Sequence, residues 1–121
     1  DATTPLAALR EELRTFNTER DWARYHTPRN LAMAVSVEAA ELLELYLWSE
    51  DGALPVEDRR ARVATEAADV LLTLLNFCAS EGIDLAAAAE AKIAANAERY
   101  PVATSRGRLE KYDELRRGPA R

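Results

Sequence analysis

The chain has 121 residues, 48% of them hydrophobic and 31% charged, with a net charge of −5 and one cysteine, Cys78. That length suits one domain with a real core, here residues 1–121, and the negative balance argues against polymeric nucleic acid or an anionic membrane surface as a partner. A lone cysteine excludes an intrachain disulfide and fits a reducing, cytoplasmic setting.

Alanine, leucine and glutamate dominate and glycine is scarce, so helix is favoured throughout. Thr4-Pro5 reads as a helix start, and Leu6, Leu9, Leu13 and Phe16 then fall on one face of a helix running to about Asp21. Thr27-Pro28 repeats the signal and opens a second helix expected to end near Trp48 to Glu50. The stretch SEDGALP is a loop by composition. A third helix is expected from about Val56 to Glu81, stopped by Gly82. Asp84 is placed to cap a fourth, which the Tyr100-Pro101 step ends. From about residue 102 the chain is basic and without clear periodicity, which reads as a mostly extended tail with at most one short helical turn.

No segment alternates with strand period, so the fold class is all-α, most simply a four-helix bundle. No apolar stretch looks long enough to span a bilayer, and the N-terminus shows no signal-peptide pattern, although the chain opens on Asp1 and some sequence is expected to have preceded it. The third helix is apolar around much of its circumference, from Val70 to Phe77. In a domain this small, burying it calls for another subunit, and a homo-oligomer is expected.

Two acidic pairs stand out, Glu38-x-x-Glu41 and Glu66-x-x-Asp69. Residues three apart neighbour each other on one helix face. At about 100° per residue, Glu38 falls among Leu31, Ala34, Leu42 and Leu45, and Glu66 among Val63, Val70, Thr73 and Phe77. Both carboxylates thus lie in apolar stripes, where an unpaired charge is costly. Two such helices packed antiparallel would gather four carboxylates, a donor set suited to a hard cation such as magnesium. Solvated acidic faces would give a similar spacing. On the fourth helix Lys92, Asn96 and Arg99 share a face with Leu85, Ala88 and Ala89, and Tyr100 follows. That row could grip a polyphosphate, or be a polar stripe in water. Trp22 and Trp48 near helix ends offer core caps or stacking faces for a base. The only histidine, His26, lies in the link between the first two helices.

The strings FNTERDWARYHTPRNLAMAVSVEAAELLELYLW, EAADVLLTLLNF, GIDLAAAAEAKIAANAERYPV and SRGRLEKY occur in that order between about Phe16 and Tyr112. Together they resemble the MazG-like nucleotide pyrophosphohydrolases of the dCTP pyrophosphatase type. The resemblance implies a magnesium-dependent enzyme, with manganese as a substitute, that cleaves a nucleoside triphosphate to the monophosphate and pyrophosphate. It further implies an all-α dimer or tetramer. Glu38, Glu41, Glu66 and Asp69 match the metal-binding carboxylates, and Lys92, Asn96 and Tyr100 match residues that hold the triphosphate. Trp22, His26 and Trp48 match residues around base and sugar, with Arg29, Arg99, Arg106 and Lys111 in further motif positions. One departure is VEAAEL where the dCTP type has glycines, GEVGEL; it keeps the carboxylates and bears on base preference. Alternatives are a helical module binding a structural cation or a basic partner, and hydrolysis of another nucleotide.

Overall fold

The computed structural model describes residues 3–47 and 56–117, with the side chain of Val56 excepted. The protein is all-α, and no strand occurs among the described residues. Its helices are α1 (Leu6–Glu19), α2 (Pro28–Glu44), α3 (Val56–Ser80), α4 (Leu85–Arg99) and the short α5 (Val102–Ser105) and α6 (Tyr112–Arg117). A 3-10 turn, Trp22–Tyr25, links α1 to α2. The chain divides into two compact units, Asp1–Asp84 and Leu85–Arg121.

In the first unit, local chemistry sets the helix ends. Thr27 caps α2, its hydroxyl accepting from the Asn30 N–H at 3.2 Å, with Pro28 in the first turn where its missing N–H costs nothing. Pro5, by contrast, sits at the cap of α1 rather than inside it, with no side-chain cap bond. The α1 end is sharp because Asp21 takes a left-handed conformation, φ 54°, and pairs with Arg24. At the end of α3, Ile83 N–H donates to the Cys78 carbonyl at 2.8 Å and Gly82 N–H to that of Ala79 at 3.3 Å. These two bonds form a Schellman motif, which needs Gly82 at its φ of 67°. The stop foreseen at Gly82 is therefore made by backbone geometry. Helix α2 ends at Glu44, earlier than its periodicity suggested, and passes into a turn.

Packing in this unit centres on α2 against α3, the most extensive helix pair among the described residues. The two run antiparallel: Tyr46 shares a recess with Arg59, Arg60 and Val63, while Glu38 reaches Glu66 and Asp69 further along α3. Leu31 and Leu75 are both buried, and Leu75 has 1% of its surface exposed. Helix α1 is tied to α3 by Asn17 Nδ2, which donates to Asn76 Oδ1 at 2.8 Å. Cys78 is a free thiol and buried, a small core residue.

One expectation needs correction. By length and hydropathy, Glu57–Ser80 could cross a membrane. Glu66 and Asp69 interrupt the apolar run and so hide this length in the sequence. Those carboxylates would be costly at bilayer depth, and they face the acidic residue of α2 instead. The apolar surface of α3 is accordingly assigned to protein packing.

In the second unit, the segment expected to be an extended tail carries α5 and α6. Tyr112 meets Tyr100 edge to face at 6.2 Å, the Arg99 guanidinium lies 5.4 Å from the Tyr112 ring centroid, and Leu115 is buried. These contacts, absent from any local periodicity, hold the tail near the end of α4.

Leu75→Ala should destabilise the protein by about 2–5 kcal/mol, the range for emptying a filled core position. Urea denaturation of the two proteins measures it, and a loss near zero would show that Leu75 is not a core anchor.

Candidate metal centre

Glu38, Glu66 and Asp69 each offer a carboxylate oxygen, and the three atoms lie within 4.8 Å of one another. The reason is angular. The half-buried positions of α2 are Ala34, Val35, Glu38, Leu42 and, just past the helix end, Leu45, so Glu38 occupies the stripe that faces α3. On α3, Val63, Glu66, Asp69 and Val70 continue the matching stripe. Thr73 donates its hydroxyl to the Asp69 carbonyl and stays on the helix rather than on the carboxylate.

Glu38 bears the electrostatic cost. Partial burial raises its pKa most, followed by the charge of Glu41 and a hydrogen bond with it, then the charges of Asp69 and Glu66. Every charged group that shifts Glu38 is an acid. The ion pairs Arg14–Glu11, Arg20–Glu19, Arg24–Asp21 and Arg108–Glu110 all lie at the surface and involve none of the three carboxylates. An all-oxygen, anionic, partly dehydrated set of this kind fits a hard divalent cation.

The residues singled out in the sequence are distributed unevenly. Glu41 is exposed beside Glu38, outside the three-oxygen set. Trp22 is 46% exposed and stacks edge to face on Phe16 at 5.6 Å, with the Arg20 guanidinium 3.6 Å from the centroid of the Phe16 ring. His26 is half-buried and lines a cavity of about 630 Å³ bounded by α1, the 3-10 turn and the end of α3. Lys92, Asn96 and Tyr100 belong to the second unit, on α4 and just after it. Lys92 and Tyr100 are exposed, as are Arg29, Arg99, Arg106 and Lys111. Trp48 lies outside the described residues. Two further polar residues of the cavity, Asn17 and Asn76, carry no conspicuous sequence motif. Asn76 stands two turns after Asp69 in an otherwise apolar run, and that spacing was the available signal.

An all-helical protein with clustered carboxylates on an antiparallel helix pair defines the class. The MazG-like family profile matches residues 33–115, most of the chain and all three clustered carboxylates. The chain is 42% identical over 108 residues to dCTP pyrophosphatase 1 of Mus musculus, covering 85% of this chain and 63% of that protein. It is 38% identical over 107 residues to dCTP pyrophosphatase 1 of Homo sapiens, with the same coverage. It thus spans less than two thirds of the length of these curated relatives. A crystal structure of a pyrophosphatase from Archaeoglobus fulgidus superposes with a TM-score of 0.70 at 37% identity, covering 79% of this chain and 92% of that one. The chain belongs to the MazG-like family.

The raised pKa of Glu38 gives a signed pH dependence. The folded protein holds a proton that the unfolded chain releases, so this contribution to stability is full below the ordinary value of 4.5 and is lost as pH rises through the raised value. Without divalent ions, Glu38→Gln should therefore melt higher than the parent protein at about pH 8, and the gap should close towards pH 4.5. Thermal melts in chelator check this, and a gap independent of pH would contradict it.

Proposed function

We propose that the chain is a divalent-metal-dependent nucleoside triphosphate pyrophosphohydrolase, with magnesium as the working ion, manganese as a substitute and dCTP or a modified dCTP as the preferred substrate. The observation that carries this is the three-carboxylate cluster on the two helices where the family profile matches. The dCTP pyrophosphatase relatives supply the substrate class.

In this reading Glu38, Glu66 and Asp69 hold the ion, and Glu41 stands beside them as a fourth carboxylate. The bound ion supplies charge neutralisation at phosphate oxygens and acidifies water. Water adds to the α-phosphorus, the bond from that phosphorus to its bridging oxygen breaks, and nucleoside monophosphate and pyrophosphate leave. Glu41 or Glu66, whichever is less committed to the ion, would take the proton of the attacking water. Lys92 and Asn96, one turn apart on α4, followed by Tyr100, provide the donors for the leaving pyrophosphate. Trp22, His26 and Trp48 serve the base and sugar, and of these His26 opens onto the cavity in the first unit.

Assembly into a dimer or tetramer belongs to the same reading. Met33 and Val37 on α2 are 51% and 55% exposed and Ile93 on α4 is 69% exposed, which leaves apolar surface for a second copy. Cytoplasmic residence follows from the chemistry proposed, since the nucleotide pool is the substrate source.

Magnesium should release pyrophosphate, and no orthophosphate, from dCTP, and both Glu38→Gln and Asp69→Asn should cut turnover by roughly a hundredfold or more while the helical spectrum persists. Near-normal turnover in either variant would remove the metal assignment. Intact triphosphates throughout a panel of bases and damaged bases, with magnesium or manganese, would favour a non-catalytic cation-binding module. Lys92→Ala should instead raise KM for the triphosphate about tenfold, as expected for one lost charge-assisted contact. An unchanged KM would place Lys92 outside the phosphate contacts.

A further inference from the structure

The cavity of about 630 Å³ in the first unit lies within the size range of small-ligand pockets, and its lining mixes apolar residues with polar and charged ones, among them Arg10, Glu11, Arg14 and Asp84. Leu13, Ala23, Leu75 and Ile83 supply apolar wall, and Asn17 and Asn76 meet inside it. Asn17 is 8% exposed, the one buried polar residue among those described. A carboxamide pair joined by a single N–H···O bond always leaves one carbonyl oxygen and one amino group unspent, whichever amide donates. Neither residue holds a side-chain polar atom that is both sealed from solvent and unpartnered, and both residues line the cavity.

We propose that the Asn17–Asn76 pair is a base-reading element, recognising a nucleobase edge that carries a hydrogen-bond donor beside an acceptor. This rests on the reading of the chain as a nucleotide hydrolase and names residues that would hold the edge of its base. The cytosine edge presents an exocyclic amino group next to a ring nitrogen, the complement of a free carbonyl next to a free amide amino group. The pair can also turn over as a unit, with Asn76 donating to Asn17, and then complements the reversed order on uracil or thymine. An edge lacking one of the two groups leaves a buried amide atom unpaired, which is the strong form of discrimination.

The position along α3 agrees. Asp69, Thr73 and Asn76 follow i, i+4, i+7 spacing and share a helix face, with Asn76 two turns, or ~10 Å, beyond Asp69. That rise suits a nucleotide whose inner phosphate lies at the carboxylates and whose base lies at the amides. A pair that served only to hold α1 in register with α3 would need neither the cavity nor the open polar groups.

Calorimetry tests this with two product-like probes, dCMP and the monophosphate of the pyrimidin-2-one deoxynucleoside, which lacks the exocyclic amino group. The parent protein should bind dCMP about tenfold more tightly. N17L/N76L, which replaces both partners with apolar groups of similar shape, should bind the two probes alike; Asn76→Ser is the second variant should that protein not fold. Equal binding of the probes by the parent protein, no detectable dCMP binding up to millimolar concentration, or full discrimination by a folded variant would each overturn the role. Hydrolysis of dCTP is followed separately. Turnover without discrimination sinks the amide pair and leaves the hydrolase standing, whereas discrimination without turnover does the reverse.

Discussion

The antiparallel pairing of α2 with α3 is what the site depends on, and it works against electrostatics. The pairing draws Glu38 onto Glu66 and Asp69, where three carboxylate oxygens fall within 4.8 Å. Like charges at that spacing, partly withdrawn from water, push the helices apart. What holds them is the apolar stripe around the cluster: Leu31, Ala34, Leu42 and Leu45 on and just beyond α2, with Val63, Val70 and Leu75 on α3. Burial first, and then the neighbouring carboxylates, raise the pKa of Glu38, and a proton there relieves both. A divalent cation relieves the repulsion from outside, and it leaves all three groups ionised.

The same conflict explains why so little of the site comes from short-range structure. Each carboxylate is an ordinary helical residue, with no strained backbone beneath it; the left-handed Asp21 and Gly82 lie at helix ends instead. The Schellman turn at Gly82 ends α3 just beyond Cys78, and Ile83, its final hydrophobic contact, faces the cavity together with Cys78. Stopping α3 there lets the cavity close around Asn17 and Asn76 while the acidic cluster remains further back along the same helix. One long helix thereby carries two chemically distinct regions, one anionic and one carrying neutral amides.

How much of this could be read from the sequence followed from the range of the interactions involved. Thr27-Pro28 and Gly82 act through neighbours within a turn, so their helix boundaries were visible. Glu38 and Glu66 betrayed themselves because a charge in a 3.6-residue apolar stripe is conspicuous even without knowing its partner. Glu41 has the same spacing as Asp69 but is exposed beside Glu38, a difference in depth set by packing rather than by spacing. The Asn17–Asn76 bond joins residues 59 apart, and neither asparagine is unusual on its own helix. The α6 turn has only six residues, too few for a period, and its place is set by Tyr100 and Arg99 against Tyr112.

The VEAAEL segment gains meaning from this arrangement. Val37 and Ala40 stand where the GEVGEL pattern has its two glycines. Both favour helix more strongly than glycine, alanine by ~1 kcal/mol and valine by less, and so stiffen α2 on either side of Glu38, which must be held against repulsion. Both side chains are exposed, so they add no volume between α2 and α3. Their presence leaves the acidic cluster chemically intact and changes the rigidity with which it is presented. About two turns beyond the acidic cluster along α3, Asn76 meets Asn17 of α1 at the cavity of the first unit, so the long helix serves both regions.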